Sequence, residues 1–442
     1  MGFFILILVM AVEELYDIFL VSTGVTTDSR IAEPGNIFFA LRGEHYDGNE
    51  YVENALRAGC KAAVIDNSDY KVSGKTIEVD NVLLTLQQLA AYHRSQFELP
   101  VLAITGSNGK TTTKELINSV LGLRFKTLST RGNLNNHIGV PITLLGLDPS
   151  HEIAVIEMGA NHPGEIDSLC RIASPTHGLI TNIGMAHLEG FGSPEGVFMA
   201  KSELFRYLRE VGGKAFVNHD SLLLRSLSGE LCLESVSYGR DRECFVSGDL
   251  LNSGEGLELE VHINRYDETV LLKTSLAGSY NFENILAAVC TGTFFGIPTK
   301  QIKKVVEAYV PGNNRSQIME TPNNKLLLDA YNANPDSMKA AILNFCSMPD
   351  KNKSVILGDM LELGKYAGEE HRKVIELLQT RVLKEVIMVG EMFFNTPAPK
   401  DYFRFRDVDK LSEWLTDNPL RNRFILLKGS RGIQLERCIT VL

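Results

Sequence analysis

The run Ile104 to Thr113, reading Ile-Thr-Gly-Ser-Asn-Gly-Lys-Thr-Thr-Thr, constrains this chain more than any other stretch. It follows the apolar Val101-Leu102-Ala103 and leads into Lys114-Glu115-Leu116-Ile117 and Val120-Leu121, a helical pattern. A strand, a glycine-punctuated turn and a helix start bring unpaired backbone N–H groups and the helix dipole together, which makes a cradle for an anion. Lys110 is placed to reach the β- and γ-phosphates of a nucleotide, and the Thr111 hydroxyl to ligate Mg²⁺. The loop is a shortened Gly-x-x-Gly-Lys-Thr form, since Ile104 stands where the usual pattern has its first glycine. Read alone, such a motif is also compatible with an ordinary turn. The strand before it and the helix after it favour ATP or a close relative as ligand.

At 442 residues the chain has room for about three domains, each with its own core. A formal net charge of −10 argues against a general nucleic-acid binder. Anionic substrates remain compatible, because they need only local positive charge. The seven cysteines (60, 170, 232, 244, 290, 346 and 438) are scattered without a Cys-x-x-Cys pair. That pattern suggests reduced thiols in a cytoplasmic chain and neither a disulfide framework nor a zinc site. The apolar start Met1 to Met10 is too short to span a bilayer and lacks a signal peptide's basic flank and cleavage site. It reads as a buried helix start or an upstream extension, and no membrane association is expected.

Strand and helix patterns set an α/β organisation. Residues 1–98 form a small mixed α/β N-terminal domain, with strands at Asn36–Leu41 and Ala62–Ile65 and a helix over Tyr51–Ala58 closed by Gly59. Residues 99–312 form a central P-loop-type ATPase domain with a mostly parallel sheet. Its apolar strands include Ile153–Ile156, Gly178–Thr181 and Lys214–Val217, and Ser247 to Leu276 alternates as antiparallel strands do. Pro311-Gly312-Asn313-Asn314 reads as a linker. Residues 313–442 restart the alternation as a Rossmann-like, doubly wound domain. Its strands lie near 326–328, 354–357, 386–389 and 424–427, and its helices near 336–345, 369–378 and 408–415.

Several polar groups at strand ends are candidates for the chemistry, since ligands of open α/β sheets lie beyond those ends. Glu157 closes the strand 153–156, where an acidic metal ligand would sit; a surface glutamate is the alternative. His187 is a possible second ligand, although a lone histidine is more often structural. Lys201, judged by itself, is a solvated lysine. Asn281 and Asn284 share one helical face, and their carboxamides suit either an adenine edge or a helix cap. Arg315 is equally an arginine that neutralises a transferred phosphoryl group or a plain surface residue.

Taken together these segments resemble the Mur ligase family of ATP-dependent amide-forming enzymes. The resemblance runs from Thr27-Asp28-Ser29-Arg30 to Lys428-Gly429-Ser430-Arg431-Gly432. It is carried by Gly106–Thr112, Gly132-Asn133-Leu134-Asn135-Asn136, Glu157-Met158-Gly159 and Thr181-Asn182-Ile183-Gly184 on to His187-Leu188-Glu189. Asp329-Ala330-Tyr331-Asn332-Ala333-Asn334-Pro335 and Leu357–Gly364 point to the member that adds D-alanyl-D-alanine to UDP-N-acetylmuramoyl-tripeptide.

The resemblance implies an acyl-phosphate route to UDP-N-acetylmuramoyl-pentapeptide, two Mg²⁺ ions, and a CO₂-derived carbamate on Lys201. It gives Lys110, Lys201, His187 and Arg315 catalytic roles, and makes Thr111, Glu157, His187 and Lys201 metal ligands. Gly106, Ser107, Asn108, Gly109, Lys110, Thr111, Thr112, Asn281, Asn284, Arg315, Asp329 and Tyr331 fall on the ATP side. Ser29, Arg30, Gly43, His45, Asp47, Asn133 and Asn135 fall on the UDP-sugar side. Two departures stand out: Tyr280 replaces a frequent histidine, and His137 a frequent glutamate. A monomer acting on small-molecule substrates is expected. A sibling ligase adding a diamino acid, a folate polyglutamate ligase, and a nucleotide-gated binding protein are the alternatives.

Overall fold

The computed structural model describes residues 12–312 and 315–442. The apolar start Met1 to Met10 and Asn313-Asn314 of the expected linker lie outside the described residues. The structure divides into two compact units. One holds the chain up to Ile104 together with Phe125–Ala160 and Gly164–Gly178; the other holds Thr105–Arg124, Asn161–Pro163 and Leu179–Leu442.

In the first unit, β1 (Val25–Thr26), β2 (Ile37–Phe39), β3 (Ala62–Ile65) and β4 (Thr76–Glu78) pair in that order, all parallel. Every residue of β2 and β3 is buried. Such uninterrupted apolar runs belong to strands covered on both faces. Phe38, Ala63 and Ile65 pack against Val52 and Ala55 of the helix Val52–Arg57. Further along lie β5 (Val101–Thr105), β6 (Thr127–Ser129) and β7 (Ile153–Glu157), with β7 parallel to both β5 and β6. Strand β8 (His177–Ile180) follows.

In the second unit, β9 (Lys214–Asn218), β10 (Glu234–Gly239) and β11 (Val246–Ser253) pair in parallel. Strands β12 (Leu257–Ile263) and β13 (Glu268–Lys273) then continue antiparallel, as the alternation over 247–276 predicts. Leu257, Leu259, Val261 and Ile263 all turn inward, the period-two signature of a strand buried on one face.

The same unit ends in a six-stranded sheet ordered β14-β15-β19-β16-β17-β18. Here β14 is Gln317–Glu320, β15 Lys325–Asp329, β16 Lys353–Gly358, β17 Val386–Val389, β18 Phe403–Phe405 and β19 Phe424–Lys428. All neighbours are parallel except β14 with β15. The helices Pro335–Ser347, Ala367–Gln379 and Val408–Asp417 lie within a residue or two of expectation. The sequence does not announce the edge strands β14 and β18. Each is only three or four residues long with at most half-buried side chains, so neither shows an apolar run. No helix among the described residues is long and apolar enough to cross a membrane.

Candidate active site

Gly106 and Gly109 shape the loop between β5 and the helix Lys110–Leu121. Gly106 has φ +142°, and a Cβ there would stand 2.0 Å from Thr181 Oγ1. Gly109 has φ +77°, and its Cβ would meet Asn284 Oδ1 at 2.7 Å. Left-handed backbone without room for a side chain admits only glycine at low strain. The helix that follows has no side-chain cap and no acidic residue in its first turn. Its amide end is therefore suited to an anionic ligand. The Lys110 ammonium curls over the loop and donates to the carbonyl oxygens of Gly106 (2.7 Å) and Ser107 (3.3 Å). Thr111 and Thr112 are buried at the helix start.

The loop is held from several sides. The Asn108 N–H donates to Asn182 Oδ1 at 2.9 Å, and the Asn108 carbonyl accepts from Thr181 Oγ1 at 2.6 Å and Asn182 Nδ2 at 3.1 Å. Ser107 Oγ donates to the Gly184 carbonyl and accepts from the Gly184 N–H. Asn281 and Asn284 sit on one face of the helix Asn281–Phe294, both buried. Asn284 Nδ2 donates to Asn281 Oδ1, Thr113 Oγ1 donates to Asn284 Oδ1, and Asn281 Nδ2 donates back to the Ala277 carbonyl. Asn284 thus ties its helix to Lys110–Leu121 through Thr113, Asn281 backs it from the same helix, and neither caps its helix start.

Lys201, inside the helix Pro194–Val211, is fully buried. Its amine stands 5.1 Å from the centre of the Phe191 ring. A solvated lysine is thereby excluded. His187 adopts φ +53°, and its Nδ1 stands 2.5 Å from Glu362 Oε2. That contact holds the Glu362 carboxyl below the usual glutamate range.

Arg315 stacks on Tyr331 with 3.7 Å from guanidinium carbon to ring centre, so it is not a plain surface arginine. Asp329 closes β15 and receives Lys428 Nζ at 2.6 Å. Tyr280 bonds Ser316 Oγ at 2.7 Å, and burial together with the Asp329 charge pushes its phenol up.

The remaining candidates belong to the first unit. Glu157 is buried at the end of β7, where Oε1 accepts from Asn135 Nδ2 at 2.7 Å and the N–H donates to Thr130 Oγ1. The Asn133 carbonyl accepts the Asn135 N–H. Asp28 caps the short helical turn Ser29–Ile31 and grips the Arg30 guanidinium, which holds the Asp28 carboxyl down to about 2. The Arg30 side chain is otherwise displayed to solvent. Gly43 opens a tight turn closed by an Arg42–Asp47 bridge, with the Tyr46 ring occupying the place of a Gly43 side chain. His45 is exposed at its tip, and Asp47 holds the Asn49 N–H and carboxamide.

The sequence alone marks no role for Thr181, Asn182, Asn334, Asp336 or Glu362. Asn334 Nδ2 donates to Asn108 Oδ1 at 2.8 Å across 226 residues, and Asp336 Oδ2 accepts the Met185 N–H at 2.7 Å across 151. Locally, Asn334-Pro335-Asp336-Ser337 signals only a capped helix start.

A glycine-built phosphate loop, a buried lysine and a doubly wound sheet whose residues reach that loop define a phosphate-binding α/β enzyme. Family models match three consecutive segments: Mur ligase family, catalytic domain at 21–94; Mur ligase middle domain at 104–292; and Mur ligase, glutamate ligase domain at 314–431. The UDP-N-acetylmuramoyl-tripeptide–D-alanyl-D-alanine ligase of Bacillus subtilis is 35% identical, covering 94% of this chain and 92% of its own. A crystal structure of MurF from Acinetobacter baumannii matches with TM-score 0.84 and 31% identity over 94% of this chain and 92% of that one. The MurF ligase of Thermotoga maritima in complex with ADP matches with TM-score 0.83 and 26% identity over 96% and 97%. The chain belongs to the Mur ligase family and has its three-domain architecture. A folylpolyglutamate synthase of Mycobacterium tuberculosis, at 14% identity and TM-score 0.59 over 81% of this chain and 94% of that one, shares the fold alone.

Proposed function

We propose that the chain joins D-alanyl-D-alanine to UDP-N-acetylmuramoyl-tripeptide, using ATP and passing through an acyl phosphate. One observation carries most weight: the Gly106–Thr112 cradle opens an uncapped helix start with Lys110 folded over it. The terminal peptide carboxylate attacks the γ-phosphorus of ATP and ADP leaves. The dipeptide amine then attacks the acyl carbon, losing a proton, and inorganic phosphate departs with the C–O bonding pair. Carboxylate and triphosphate repel each other, so the chain's contribution is mainly positioning and charge neutralisation.

Lys110 follows the β/γ-phosphates, and Arg315, oriented by its stack on Tyr331, neutralises the transferred group. Asn281, Asn284, Asp329 and Tyr331 complete the ATP side. Ser29, Arg30, Gly43, His45, Asp47, Asn133 and Asn135 take the UDP-sugar and its peptide. By the same reading two magnesium ions take part and the buried Lys201 becomes a carbamate. Thr111, Glu157, His187 and Lys201 would then hold the ions, which supply charge neutralisation when bound. We assign the three domains to residues 1–98, 99–312 and 313–442, and place a monomeric enzyme in the cytoplasm.

The test is phosphate release and product mass measured with each substrate left out in turn, using tripeptide labelled with ¹⁸O in its terminal carboxylate. The reading expects release only with both acceptor and dipeptide present, and one ¹⁸O in the orthophosphate. Release indifferent to the dipeptide would indicate a nucleotide-gated binding protein, and a different mass would indicate a sibling ligase.

A further inference from the structure

The second unit contains two sets of polar contacts between the phosphate-loop region and the C-terminal sheet, one made by the segment that follows β15 and one by the segment that follows β16. In the first, Asn334 uses both ends of its carboxamide. Oδ1 accepts the Ser337 N–H and caps the helix Pro335–Ser347, while Nδ2 donates to Asn108 in the phosphate loop. Two residues on, Asp336 accepts the Met185 N–H and lies against Gly184, where a Cβ would collide with its Oδ2 at 2.4 Å. Gly184 is itself bound to Ser107 of the loop on both its N–H and its carbonyl.

In the second contact, the Glu362 carboxylate meets His187 and the Glu362 carbonyl accepts the Glu189 N–H at 3.1 Å. His187 and Glu362 both hold positive φ, +53° and +62°. Strained backbone of that kind persists where surrounding contacts over-determine it.

We propose that Asn334 and Asp336 are positioning residues, which dock the C-terminal sheet onto the phosphate loop so that filling the loop and presenting the incoming amine become one event. The loop is too constrained to move alone, since the Asn108 amide, carbonyl and side chain are all engaged. Any adjustment to an arriving triphosphate is therefore passed to the helix Pro335–Ser347. The proposal rests on the ligase reading for its chemistry and on these contacts for its mechanics.

The full-length chain carrying Asp336→Ala, Asp336→Asn, or Asn334→Ser would be compared with the parent. Asn keeps the acceptor for Met185, and Ser keeps the helix cap but is too short to reach Asn108. In Asp336→Ala and Asn334→Ser, ADP affinity should stay within about threefold, because Thr181 and Asn182 still hold the loop. The KM for D-alanyl-D-alanine should rise or kcat fall by at least tenfold. Amide hydrogen exchange at Met185 should quicken at least tenfold in Asp336→Ala and recover in Asp336→Asn.

Unchanged exchange together with unchanged dipeptide kinetics would overturn the proposal, as would equal losses in ADP affinity and turnover. Asn334→Ser serves if Asp336→Ala fails to fold. If the parent chain never responds to the dipeptide, the ligase reading fails, while the exchange measurement still decides the docking.

Discussion

At the residue scale, Lys110 and Lys201 are two lysines with opposite problems. Lys110 lies over carbonyl oxygens that a phosphate would outbid as partners for its ammonium. Lys110→Ala should bring ligation below detection while the thermal midpoint stays within a degree or two. Near-normal product formation in that variant would remove Lys110 from its role. Lys201 is fully buried, and the ligase reading gives it a carbamate in place of its ordinary ammonium cation. A carbamate exchanges that cation for a metal-binding anion. Lys201→Ala should be nearly inactive and regain activity with added short-chain carboxylates. The absence of rescue, with intact mass showing an unmodified amine, would count against it.

At the element scale, the six-stranded sheet is stitched at the beginnings of three adjacent strands. Glu385, just before β17, receives two bonds from Arg423, just before β19 (2.9 and 2.8 Å), and one from Ser354 of β16. These bonds hold the Glu385 carboxyl below the usual range, with the Arg423 bond as the leading cause. Since the folded value is depressed, the stabilisation is present at pH 7 and is lost as the pH falls through that lowered value. Glu385→Gln should cost about 1–2 kcal/mol at pH 7, the size of charge-assisted bonds in a partly exposed pair. The difference should shrink below the ordinary glutamate value of 4.5. Denaturant melts at pH 7 and pH 3 check both, and an equal difference at the two pH values would refute the assignment.

At the scale of the whole molecule, a nucleotide that binds only the folded loop should stabilise the unit that carries it. ADP at a hundred times its dissociation constant should add about 2.7 kcal/mol. The single tryptophan, Trp414, packs on Phe403 and Phe405 in that same unit and reports its unfolding by fluorescence. ADP should raise the Trp414 midpoint, and Lys110→Ala should diminish the shift. A midpoint indifferent to ADP would place the nucleotide elsewhere.

What the sequence determined by itself was local. The phosphate loop is ten consecutive residues whose glycines and lysine act within one turn of backbone. The central parallel strands betray themselves as short continuous apolar runs, because both faces are covered. Edge strands β14 and β18 lack that covering and stayed illegible. Tertiary structure alone decided whether Lys201 was solvated or sealed, and whether Arg315 was free or stacked on Tyr331. It also decided that Asn284, backed by Asn281, clasps Thr113 of a neighbouring helix. Burial and partnership depend on residues distant along the chain, as Asn334 and Asn108 are, and no local period or motif spacing encodes which distant side chain will arrive.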